Sequence, residues 1–73
     1  MNSPIYDKEI ASIKLHSNAR IRIAKGELYS GPYIDIRRMT LDRDGKEMFT
    51  KSGFRLSPDD AVKLRDVLVK IIK

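Results

Sequence analysis

Seventy-three residues make one domain at most, and a chain that short removes only about 60% of its unfolded surface from water. With no cysteine, a disulfide framework and a cysteine zinc site are both excluded, which leaves association with a second copy as the reinforcement for so small a core. Fifteen Lys and Arg against ten Asp and Glu give a net charge of +5, a balance that favours a polyanionic partner such as nucleic acid.

Residues 1–9 carry one proline and mixed charge without a period, so they read as an arm. Ile10, Ile13 and Leu15 fit a short extra strand or part of a turn, and residues 1–18 form a unit outside the domain proper, which spans 19–73. Arg20-Ile21-Arg22-Ile23 alternates cation and β-branched residue, the pattern of a half-buried strand with its arginines in solvent. Gly26 and Ser30-Gly31-Pro32 mark a bend and a connection. The segment from Pro32 to Leu41 is the strongest strand, with Ile34 and Ile36 on one side and Tyr33, Asp35 and Arg37 on the other. Met39 and Leu41 then change the apolar parity, which a β-bulge near Arg37–Met39 would absorb.

Asp42-Arg43-Asp44-Gly45 is hairpin chemistry. A return strand follows from Lys46 to Thr50, Lys51-Ser52-Gly53 breaks it, and Phe54-Arg55-Leu56 makes a short last strand. Ser57 then caps a helix with Pro58 in its first position and Asp59 and Asp60 in its first turn. Ala61, Leu64, Leu68, Ile71 and Ile72 draw an apolar stripe, widened by Val62, Val67 and Val69 beyond what one small sheet covers. An over-wide stripe on so small a chain points to a helix-mediated homodimer.

Catalysis is not expected. The only histidine, His16, sits beside Ser17 in a polar turn with no nucleophile and base arranged around it. Asp42-x-Asp44-Gly45 lacks the further ligands and glycine position of a calcium loop, and no glycine-rich phosphate cradle opens a helix. No metal or cofactor is called for. No stretch approaches the ~20 apolar residues of a membrane span, and Asp7, Lys8 and Glu9 stand where a signal peptide needs an apolar run. A soluble, cytoplasmic protein is expected.

Residues 14–55 hold ten cations and five anions and so carry the whole excess of +5. All five aromatics lie outside the helix, and Tyr29, Tyr33, Phe49 and Phe54 are interleaved with Arg37, Arg38, Lys46, Lys51 and Arg55. Cations for a phosphate backbone and aromatic faces for unpaired bases are the two needs of a single-strand binder. A solvated mixed-charge surface is the alternative, with Phe49 and Phe54 as core residues.

Ile34-Asp35-Ile36-Arg37, the turn from Asp42 to Gly45, Lys51-x-Gly53 and Leu56-Ser57-Pro58 leading into a helix occur in that order. This series resembles the DNA-binding domain of the positive-cofactor-four transcriptional coactivator family, from about Arg20 to Ile72. The resemblance implies an α+β fold: a strongly curved four-stranded antiparallel sheet followed by one C-terminal helix, dimerised through helices and sheet edges around single-stranded DNA. It implies that Arg37 grips the backbone, that Tyr29 stacks bases, and that Lys51 and Gly53 form the loop closing over the strand. Thr40 stands where well-known members carry a tryptophan, so Tyr33 or Phe49 would have to replace that platform. The absence of a long serine-rich acidic extension resembles a free-standing bacterial or phage form, at the nucleoid or in host cytoplasm.

The expected nucleic-acid surface is therefore Arg22, Lys25, Tyr29, Tyr33, Arg37, Thr40, Lys46, Phe49, Lys51, Gly53 and Arg55. The expected dimer contact is Leu64, Leu68, Ile71 and Ile72. About five neutralised phosphates per protomer give an expected slope near −3.5 for log affinity against log salt. The expected function is sequence-independent single-strand binding in transcription, or in replication and recombination, with RNA polymerase or the replication and recombination proteins as further partners. The alternative is a protein-interaction module that docks acidic segments of the transcription machinery.

Overall fold

The computed structural model describes residues 4–72. Four antiparallel strands, β1 (Tyr6–His16), β2 (Ala19–Leu28), β3 (Gly31–Leu41) and β4 (Glu47–Leu56), precede one helix, α1 (Pro58–Ile71). The strands pair in chain order, so β1 and β4 are the two edges of a sheet that does not close.

Two of the four strands differ from the sequence expectation. The stretch expected to be an arm or a short extra strand is, from Tyr6 on, a full strand, paired along β2 from Tyr6 opposite Glu27 to His16 opposite Ala19; residues 1–3 of the expected arm lie outside the described residues. Its register shifts between Glu9 and Ala11 and between Lys14 and His16, and those shifts scramble the alternation that would have announced it. The two short strands expected after Lys46 are one strand, because Lys51 and Ser52 lie in a bulge and pairing resumes with Gly53 opposite Arg37. The irregularity at Arg37–Met39 is real, but its extra residues belong to β4. The β2–β3 register runs unbroken from Ala19–Thr40 to Leu28–Gly31.

Because β3 keeps its parity, Tyr33, Asp35, Arg37 and Met39 share one face. Residues directly opposite across a ladder point the same way, which adds Arg20, Arg22, Ala24 and Gly26 from β2, Asp7, Glu9, Ser12 and Lys14 from β1, and Glu47, Phe49, Gly53 and Arg55 from β4. This polar face holds most of the buried residues, namely Arg22, Ala24, Gly26, Tyr33, Asp35 and Met39. Arg22 is thus packed inward rather than in solvent, at 9% exposure. The opposite face presents Ile13, Ile21, Ile23, Ile34, Ile36 and Phe54, and these are half-buried or exposed.

The turns follow their chemistry. The Asp42 carboxylate accepts from the backbone N–H of Asp44 and of Lys46, both at 2.9 Å, and Gly45 adopts φ +78°, a conformation costly for a side chain with a Cβ. Gly26 lies inside β2 rather than at a bend, where a Cβ would collide with the Tyr33 hydroxyl and the Tyr6 carbonyl. At the head of α1 the Ser57 hydroxyl accepts from Asp60 N–H at 3.2 Å, with Pro58 and the two aspartates placed as the cap requires. No described residue of α1 is buried, and its contacts with the sheet are confined to β3 and β4.

Candidate nucleic-acid interface

The polar face is built from long side chains on β1 to β4 that lie across one another. Arg20 is forked by two carboxylates: its Nε and Nη2 donate to Glu47 at 2.6 and 2.8 Å, and its Nη1 and Nη2 to Glu9 at 3.0 and 3.1 Å. Arg22 pairs with Asp7 at 2.5 Å, Glu9 at 3.3 Å and Asp35 at 3.9 Å. Arg37 donates to both Asp35 oxygens, at 3.1 and 3.2 Å, and to the Thr50 carbonyl at 2.9 Å. Arg55 closes the set 3.7 Å from Asp35.

Two aromatics are embedded in this lattice. The Tyr33 hydroxyl donates to Asp7 at 2.6 Å, and the Arg55 guanidinium sits 4.2 Å from its ring centroid. Phe49 is different. One side of it faces the Arg22 guanidinium, 5.3 Å from its centroid, yet it stays 65% exposed. Such a ring, backed by a cation and open to solvent, is the geometry on which a base stacks.

The electrostatics follow from these contacts. Burial pushes the Asp7 carboxyl up, but hydrogen bonds from Tyr33 and Arg22 outweigh it and hold the group below its ordinary range. Burial, then the bond to Asp7, pushes the Tyr33 phenol up to about 12. Hydrogen bonding from Arg20 holds Glu47 low.

The structure brings together Arg22, Tyr33, Arg37, Phe49, Gly53 and Arg55 on one face. Lys25 and Thr40 are not part of it: opposite Ile34 and Met48 respectively, they lie on the other face. Tyr29 caps the β2–β3 turn and is fully exposed. Lys46 ends the β3–β4 turn just before β4, and Lys51 lies in the bulge of β4. Sequence reasoning missed Arg20 and all the acidic partners. Asp7 and Glu9 stand two apart, as residues of one strand face do, but reading them so needs the register of β1. A recess of about 240 Å³, lined by Ser12, Lys14, Arg20, Met39 and Glu47 among others, continues the face toward the β1–β2 turn. Among the described residues no three His, Cys, Asp or Glu side chains are grouped to hold a metal ion, and no helix is long and apolar enough to cross a membrane.

No family model matches the chain, and no curated protein matches it significantly. Among solved structures it is similar to BPSL1147, a PC4 homolog from Burkholderia pseudomallei. In the tetragonal crystal form the identity is 26% and the TM-score 0.81, over 93% of this chain and 100% of that one. The chain is PC4-like. The orthorhombic form of the same protein agrees, with 26% identity and a TM-score of 0.79 over 94% of this chain and 93% of that one. PC4 is the positive-cofactor-four family of the resemblance above, and the likeness reaches further than the motifs did. A match over 93% of the residues leaves out fewer than the 11 residues of β1, so it takes in at least part of that strand.

Proposed function

We propose that this PC4-like chain is a homodimeric, largely sequence-independent single-stranded-DNA-binding protein of coactivator type, and that the polar face and its rim hold the strand. The observation that carries the reading is Phe49: two-thirds exposed, backed by Arg22, and set among arginines on a PC4-like sheet. Tyr29 supplies a second ring at the β2–β3 turn, while Lys46, at the β3–β4 turn, and Lys51, in the β4 bulge, serve the backbone. Leu64, Leu68, Ile71 and Ile72 on α1 would join two copies.

Fluorescence anisotropy with labelled oligothymidine and a matched duplex tests this. The single strand should bind more tightly. The double variant Tyr29→Ala, Phe49→Ala should lose about 1–3 kcal/mol for each base that no longer stacks, with little change for duplex. Duplex competing as well as its separated strands would refute the reading. One observation favours docking of acidic protein segments instead: the arginine forks already hold carboxylates. In that case the double variant leaves DNA affinity unchanged.

A further inference from the structure

The polar face is far less positive than the chain that carries it. Its cations are Lys14, Arg20, Arg22, Arg37 and Arg55, and its carboxylates are Asp7, Glu9, Asp35 and Glu47, so five charges meet four. The face thus carries +1 of the net +5, and cations outside it include Lys8, Lys25 and Arg38 of the opposite face and Arg43, Lys46 and Lys51 around the β3–β4 hairpin. Every arginine of the polar face has a carboxylate within 4 Å.

We infer that Glu9 and Glu47, with Asp7 and Asp35 behind them, are specificity determinants that make the face choose unpaired strands. The inference rests on the single-strand reading above. Phosphate neutralisation by Lys and Arg is blind to sequence, and it rewards the denser charge of a duplex, about 0.9 log units per phosphate for each tenfold fall in salt against about 0.7 for a single strand. A guanidinium already forked into a carboxylate must release it before it can hold a phosphate, so its net gain is small. Neutralising the arginines in this way lowers the term that favours duplex. Stacking on Phe49 and Tyr29 then decides, and only an unpaired base reaches those rings. Glu9 and Glu47 are suited to the role because both are partly open, at 39% and 38% side-chain exposure, where an approaching phosphate meets them first.

The test is the double variant Glu9→Gln, Glu47→Gln, which keeps oxygen acceptors for Arg20 while removing two charges. It frees Arg20, because Arg22 keeps Asp7, so between 1 M and 0.1 M salt its affinity should rise about 5-fold more than that of the wild type for oligothymidine and about 8-fold more for duplex, and the single-to-double-strand preference should fall about 1.6-fold. Its single-strand salt slope should steepen by about 0.7. Weaker binding of both ligands would show that the carboxylates position the arginines and would overturn the inference, as would an unchanged preference. A second measurement does not depend on the variant folding. With Lys14 on the face and Lys46 and Lys51 beside it, none of them paired with a carboxylate among the described residues, the wild-type slope should be near −2, not the −3.5 expected from five phosphates; a slope of −3.5 or steeper overturns the proposal. Wild-type protein that binds no single strand refutes the underlying reading, whereas wild-type binding with an unmoved preference refutes this inference alone.

Discussion

Asp7 shows how one residue ties an edge strand to the sheet. Its two oxygens accept from the Tyr33 hydroxyl on β3 and from Arg22 on β2, so β1 is held by side chains as well as by its ladder. The contact has a pH signature at both ends. The folded Asp7 carboxyl lies below its ordinary 3.8, so its contribution to stability is complete above that value and is lost as pH falls through the lowered one. The folded Tyr33 phenol is raised from 10.0 to about 12 by burial and then by Asp7, so its contribution is complete below pH 10 and is lost as pH rises through about 12. An ultraviolet phenolate titration of the wild type should therefore show a step near pH 12. Tyr33→Phe should abolish that step and Asp7→Asn should move it down. A titration with no late step would contradict the contact.

At the scale of elements, the bulge in β4 decides what Phe49 can do. The extra residues between Phe49 and Gly53 bring both into register with β3, opposite Met39 and Arg37. Gly53 permits this because a Cβ there would lie 2.5 Å from the Ile36 carbonyl and 2.8 Å from the Arg37 Cα, backbone atoms with little freedom to retreat. Gly53→Ala should cost about 1–3 kcal/mol in urea unfolding, while Lys51→Ala, exposed in the same bulge, should cost nothing measurable. The helix, its cap and the Asp-Gly turn could be read from the sequence because each depends on neighbours within four residues. The identity of β1, the unity of β4 and the pairing of Arg20 with Glu9 and Glu47 could not, since bulges break the two-residue period and each pairing spans ten residues or more. Arg20 and Arg22 therefore looked like free solvent cations, because the carboxylates that hold them become neighbours only once the register is set.

The whole molecule measures 39 × 38 × 18 Å, a plate thin enough that one side of each layer is open. On α1, Val67, Leu68, Val69, Ile71 and Ile72 are 42–70% exposed, and across the sheet Phe54 and Ile13 are about half exposed. A 14-residue helix draws most of its stability from packing its apolar face rather than from propensity, and within one chain α1 has little to pack against. Two copies that bury these helices would remove this apolar surface from water and leave each polar face free to hold a strand. Sedimentation should accordingly find the wild type at twice 8.4 kDa. Leu68→Asp should strand a charge in the contact at a cost of several kcal/mol, giving a dissociated chain with a lowered unfolding midpoint or no cooperative transition. Ile71→Asp, one turn closer to the C-terminus, should do the same, and Lys63→Ala on the same helix, 80% exposed at its side chain, should leave the dimer intact. A wild type that sediments as a stable single chain, or a Leu68→Asp protein that remains paired, would remove the dimer from the proposal.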